Sequence, residues 1–321
     1  MMGIVMKKMA LSFAAVLALG AGSAVAADMP AKVYTKAPAV VVSPWDVAFG
    51  AGITNDYLFR GVTQSNHKPS VSAYFEPRYN INPNLQLYAG LAGSSIAFPN
   101  RAAVELDGYF GIRPTFGALA LDFGFWYYGY PGGQTFNGAA IANCTNGNVI
   151  AALGECNVMK GNVSFWEVYA KGTYTVNDMI AVGGNLYYTP SFLNSGAPGT
   201  YASATAKFTG PAMANGLGWY VSGEFGRQWL GTSDAFYFNT NFADYNTWNI
   251  GLGLTYKVFT LDLRYTGTDL SKADCNAFTS DHTANFSGDF SPINPSGVGS
   301  KWCGDAFTVK LSVDSTLSAL K

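Results

Sequence analysis

Charged side chains recur two residues apart along this chain. Glu76 and Arg78 make one such pair, Glu105 and Asp107 a second, and Asp262 and Arg264 a third. Asp56 and Arg60, and Glu167 and Lys171, keep the same parity at twice that spacing. Arg113, Asp122, Lys207, Glu224 and Lys310 extend a set in which acids and bases are mixed. Charges ringed around a wet pore decide which ions pass. Held in a dry interior, the same groups must pair or bear a heavy desolvation cost. Two arrangements therefore stay open: a water-filled passage, or a plug in which opposite charges hold the interior shut.

Other chemistry is thinner. Ser65, Asn66 and His67 put a hydroxyl near a base, which nucleophilic catalysis needs. Polar loop residues of this sort are more often solvated, and an enzyme is not expected. The four cysteines fall into two groups, Cys144 with Cys156 and Cys275 with Cys303. In an oxidising compartment disulfides are expected, pairing within each group being the simplest of the connectivities. There is no C-x-x-C, and the two histidines, His67 and His282, stand far apart, so neither metal nor other cofactor is expected.

Parity of this kind requires strands to position it. Trp45, Val47, Phe49, Ala51 and Ile53 alternate with Asp46, Ala48, Gly50, Gly52 and Thr54. Such alternation marks a strand with one face in an apolar medium. Further runs begin at Val71, Leu85, Val104, Leu119, Trp166, Ile180, Ala202, Trp219, Trp248, Phe259 and Phe307. The total is about twelve strands, an even number, as in bacterial single-chain barrels. Pro77, which lacks an N–H to donate, suggests a bulge in the second run.

The connections alternate in length. Those at 82–84, 114–117, 177–178 and 257–258 are short, 209–217 is longer, and those at 131–162 and 268–304 are very long. Short periplasmic turns facing long exterior loops are what a membrane barrel shows, and a β-sandwich has no reason to alternate them. On the outward parity, Trp45, Tyr79, Tyr174, Trp219 and Tyr256 fall at one strand end. Tyr127, Trp166, Tyr188, Trp248 and Tyr265 fall at the other, giving two interfacial girdles. Inward rings such as Tyr74, Tyr88, Tyr109, Trp126 and Tyr169 would narrow the interior.

Composition agrees. Only 12% of residues are charged, against about 25% in ordinary soluble domains. The balance of 19 basic and 20 acidic residues carries no basic excess and gives no reason to expect nucleic acid as a partner. Lys7 and Lys8, the apolar stretch from Met9 to Leu19 and the small residues Ala24-Val25-Ala26 read as an export signal. Residues 1–26 are thus expected to be a signal peptide, 27–44 an extended periplasmic linker with Pro30, Pro38 and Pro44, and 45–321 the barrel.

The segment Asn55-Asp56-Tyr57-Leu58-Phe59-Arg60-Gly61-Val62-Thr63-Gln64-Ser65 resembles the TorF family of outer-membrane porins. In that family a first strand ends in an acidic-Tyr-x-Phe-Arg-Gly stretch followed by a polar loop. Beyond this motif the likeness, from about Trp45 onward, is one of strand rhythm. The resemblance implies a small barrel and a channel, without naming a substrate. One departure is the ending Thr316-Leu317-Ser318-Ala319-Leu320-Lys321, which lacks the aromatic residue that barrel assembly machinery often reads.

The expectation is therefore an all-β, antiparallel transmembrane β-barrel in the outer membrane of a Gram-negative bacterium, with lipid, small solutes or ions and the assembly machinery as partners. Passive diffusion through a narrow, mixed-charge lumen is the expected function. It would lean weakly towards cations, because inward acids slightly outnumber bases, with Asp56 and Arg60 near the mouth as candidate filter residues. A non-conducting receptor or adhesin presenting its long loops is the alternative, and a barrel enzyme a lesser one.

Overall fold

The computed structural model describes residues 44–137 and 157–320. The expected signal peptide and nearly all of the expected linker, as well as Cys144 and Cys156, lie outside the described residues. Twelve antiparallel strands close into one barrel. They are β1 (Trp45–Thr54), β2 (Ser70–Asn82), β3 (Leu85–Ser95), β4 (Val104–Phe116), β5 (Leu119–Gly129) and β6 (Phe165–Thr175). The circuit continues with β7 (Ile180–Thr189), β8 (Gly199–Thr209), β9 (Gly218–Leu230), β10 (Tyr245–Tyr256), β11 (Phe259–Thr268) and β12 (Ala306–Thr316). Each strand pairs with its neighbour in sequence, and β12 pairs with β1, Gly52 facing Ser312. All twelve runs of alternating residues are strands, most of them extended by a few residues at one end or both.

Alternation sets the inside and the outside. Leu91, Phe75, Phe110, Phe225, Ile250 and Phe307 point outward and are each more than half exposed. Leaving such side chains in water forfeits about 1.5–3 kcal/mol apiece, so the medium around the barrel is hydrocarbon. Both girdles are present: Trp45 pairs with Tyr79 at the short-turn end, and Tyr127 with Trp166 at the other. A closed barrel with an apolar belt satisfies its whole backbone in lipid. The chain is an outer-membrane β-barrel.

Tight turns join the strands at 83–84, 117–118 and 257–258, with Gly117 at φ 61°. The expected bulge is displaced. The β1–β2 register runs through Pro77, opposite Val47, without a shift, and the irregularity falls between Asn80 and Asn82. The extra residue is taken up where the strand is about to turn, leaving the register undisturbed where lumen residues must align.

The exterior loops do not stand free. Ile96, Phe98, Tyr130, Met159, Val163, Phe192, Phe242, Leu270 and Trp302 are buried together over the barrel mouth. The last loop carries a helix, α1 (Lys272–Thr279), capped by Ser271, whose Oγ accepts from the Asp274 N–H at 3.0 Å. Cys275 and Cys303 form a disulfide that closes this loop, as expected. At the periplasmic end Ser318 donates from N and Oγ to the Asp46 carboxylate, fastening the chain's last turn to its first strand.

Candidate functional site

The first exterior loop turns into the barrel. Within it Leu58–Phe59 pairs with Val62–Thr63 in a small hairpin. Its two turn residues, Arg60 and Gly61, both have positive φ, 48° and 79°. A two-residue hairpin turn with both φ positive matches the natural strand twist, and glycine takes such a conformation freely. Arginine does not, at a cost of roughly 1–2 kcal/mol. Gly61 also has no room to be larger, because a Cβ there would lie 2.9 Å from Thr247 Oγ1 on the barrel wall.

The Arg60 side chain offsets that strain. Nη1 and Nη2 donate to the two Glu167 carboxylate oxygens at 2.9 and 2.7 Å, and Nη1 donates again to Gln228 Oε1 at 3.0 Å. The guanidinium carbon lies 4.6 Å from the Phe59 ring centroid, 4.9 Å from Tyr187 and 4.5 Å from Tyr201. Bidentate pairing and stacking are the two contacts a planar guanidinium makes best. Arg60, Glu167 and Gln228 are all buried, and the hairpin tip bridges β6 and β9 across the interior.

A second network fills the periplasmic half. Arg113 donates to both Glu76 oxygens at 2.8 and 3.2 Å and through Nε to Asp122 at 3.1 Å. Arg78 Nε reaches Glu76 at 2.6 Å, and the Arg113 guanidinium lies 3.6 Å from the Tyr88 ring centroid. Tyr88 hydrogen-bonds Asp122 and Tyr169. Neighbouring strands make way for these rings: a Cβ on Gly111 would lie 2.3 Å from the Tyr88 hydroxyl. Further round the wall, Arg264 binds Asp262, Asn249 and Ser222, while Tyr201 donates to Glu224. Lys171 and Lys207 lie 4.5 and 4.2 Å from the ring centroids of Tyr169 and Tyr220.

The opposite wall is thin. Where β11, β12, β1, β2 and β3 meet, Gly52, Ser72, Ser94, Thr266, Thr308 and Ser312 line a cavity of about 90 Å³. Asp56, Tyr57 and Leu58 of the inward loop border it, and Asp262, Arg264, Lys310 and Asp314 charge its wall. Tyr74, another lining residue, donates to Asp314 at 3.1 Å. The Lys310 side chain makes no hydrogen bond or ion pair among the described residues.

All of the expected interior residues face inward or, like Asp56 and Arg60, enter with the loop. They do not form one continuous ring. Asp56 organises its own loop: Thr63 Oγ1 and Ser65 Oγ donate to Oδ1 at 2.5 and 2.9 Å, and His67 Nδ1 lies 2.7 Å from Oδ2. The hydrogen bond to Asp56 raises the His67 pKa above its ordinary value, and the backbone contact at Lys301 adds to this against partial burial. Ser65 gives its proton to Asp56 rather than to His67, so no serine–base pair forms. Glu105 and Asp107 are buried side by side with no Lys or Arg at ion-pair distance among the described residues; Tyr57 donates to Glu105 at 2.7 Å. Gln228 and Asp314 are additional interior groups. Asp314 shares the parity of Lys310, and Gln228 shares that of Glu224 on β9, so the alternation signal reaches both.

Residues 38–291 match the family described as a bacterial protein of unknown function, Gcw_chp, and the chain belongs to that family. No curated protein matches the sequence. Among solved structures, the chain is similar to the TodX deltaS2S3 mutant monoaromatic hydrocarbon channel at 11% identity and TM-score 0.41, over 94% of this chain and 98% of that one. The NanC porin gives 7% identity and TM-score 0.41 over 84% and 98%. LpxR from Salmonella typhimurium gives 10% and 0.39 over 83% and 99%. Likeness at this level says nothing about what the chain does.

Proposed function

We propose, for this member of an uncharacterised bacterial family, that the barrel is a narrow channel for passive diffusion of small solutes or ions, closed here by its inward hairpin. The observation that supports this is the cavity of about 90 Å³ along the thin wall, bordered by Asp56, Tyr57 and Leu58 of the loop and reached by hydroxyls and charges. Hydroxyls and charges set among small residues give such a cavity the room and the polar contacts that a segment of a water path needs. The inward hairpin and the loops packed over the mouth are what must move to complete it. Asp56, Asp262 and Asp314 stand against Arg264 and Lys310 along that wall, which favours cations slightly. The resemblance of residues 55–65 to the TorF porins points the same way.

Planar-bilayer recording of pure, heat-modifiable protein tests the reading. Wild type is expected to show small, infrequent openings. Arg60→Ala, which frees the hairpin from Glu167 and Gln228, is expected to raise open probability several-fold. Silence from both proteins overturns the channel, leaving a closed barrel that presents its loops. Reversal potentials favouring anions remove the cation preference alone.

A further inference from the structure

We propose that protonated His67 is a latch that ties the inward hairpin loop to the disulfide-closed last exterior loop, and that a rise in pH releases it. The imidazole sits between two acceptors. Nδ1 is 2.7 Å from a carboxylate oxygen of Asp56, and Nε2 is 2.8 Å from the backbone carbonyl of Lys301. Neither partner has a proton to give while Asp56 is ionised, so both ring nitrogens must donate. Only the imidazolium carries two N–H groups. Loss of one proton to solvent leaves a lone pair facing either the carboxylate or the carbonyl, and one of the two contacts fails.

The surrounding contacts make that failure matter. Asn66 and His67 both have positive φ, 53° and 56°, a strained pair that persists only while neighbours hold it. Those neighbours come from the last loop. Thr63 N donates to the Trp302 carbonyl at 2.9 Å, Trp302 Nε1 donates to Asn66 Oδ1 at 3.0 Å, and Val62 bridges to Cys303. Lys301, Trp302 and Cys303 thus form a rail, fixed by the disulfide to Cys275, along which the loop lies. Among the described residues, His67 is the one titratable side chain that binds the loop's central carboxylate and this rail at once.

The charged groups around it do not reverse the sign. Asp56 and Lys68 belong to its own loop, and Asp281 faces it from the last loop. Asp281 is already engaged by Ser300 Oγ at 2.7 Å and by Thr283. Lys301 contributes its carbonyl. His282, edge-on to Trp302 at 5.8 Å, has its pKa lowered by burial, with Arg101 and Lys68 adding to this, so it stays neutral where His67 titrates. The pKa of His67 is raised above 6.5 in the latched state. The latch is therefore fully present below about that ordinary value and is lost as pH climbs through the raised one. The window therefore begins at the ordinary histidine value and extends upward from it.

The conductance consequence rests on the channel reading; the latch itself does not. Two measurements separate them. In bilayers, wild-type open probability is expected to rise with pH by up to about tenfold per unit between the free and latched pKa values. His67→Gln, which carries no titrating proton, should give a flat profile. Nitrogen-15 NMR of the two imidazoles should show His67 titrating above the ordinary range, and Asp56→Asn should return it there. A flat wild-type profile, or the same slope in His67→Gln, overturns the gating role while openings themselves uphold the channel. If neither wild type nor Arg60→Ala conducts, the NMR titration decides: a raised value that falls in Asp56→Asn supports the latch, and an ordinary value in wild type overturns it.

Discussion

From β4 to β9 the interior wall carries Tyr109, Trp126, Tyr128, Tyr169, Tyr187 and Tyr201, all buried, with Tyr128, Tyr187 and Tyr201 packed around the Arg60–Glu167 pair. From β11 through β1 to β3 the equivalent positions hold Gly52, Ser72, Ser94, Thr308 and Ser312, and a cavity remains. Both walls follow the same parity and belong to one barrel. A barrel of about eight strands is filled by its own side chains and one of about sixteen leaves a channel, so twelve is a size at which residue volume decides. Here the decision differs from one side to the other. The crowded wall supplies rigidity, and the thin wall supplies space.

The comparison can be broken most forcefully by removing a cation from each wall. Arg113→Met strands Glu76 and Asp122 without their shared partner, and breaking a buried pair this way costs about 3–5 kcal/mol. Lys310→Met on the thin wall removes no hydrogen bond or ion pair and is expected to cost under about 1 kcal/mol. Urea unfolding of the two variants in the same lipid measures the gap; equal losses would erase the distinction between the walls. Next in size is the disulfide. Cys275→Ser with Cys303→Ser opens a loop of sequence separation 28 and is expected to cost the exterior plug about 2–4 kcal/mol. Protease sensitivity of the last loop reads that loss, and the barrel strands should stay protected. Below the disulfide in expected effect comes Ser72→Phe, which places a ring in existing space. It should change unfolding by at most about 1–3 kcal/mol while acting strongly on conduction.

Much of this asymmetry is legible in the residues. The two-residue period of strands writes every wall position into the sequence, so Glu76, Arg113, Glu167 and Lys310 declare their direction without a structure. Asp314 follows from the same rule, two steps beyond Ser312. The hairpin is half legible: Phe59-Arg60-Gly61-Val62 has glycine at a turn with apolar flanks, a hairpin signal. That it dips inward depends on Glu167 and Gln228, which are distant in sequence, and no local pattern encodes such pairing. The buried plug has a weaker trace. Ile96, Phe98, Phe192, Phe242 and Leu270 are apolar residues in segments that would otherwise face water, and such residues seek cover. Pro77 misleads because it interrupts the pairing with β3 without shifting the register, and the bulge sits nearer the turn, between Asn80 and Asn82.

The central claim is that the path, when open, runs along the thin wall. Single-channel conductance of Ser72→Phe, recorded in the Arg60→Ala background so that openings are frequent, tests it most directly. A several-fold drop relative to Arg60→Ala alone is the predicted result. Unchanged conductance would contradict the account, because the ions would then be crossing somewhere other than the cavity that Ser72 lines.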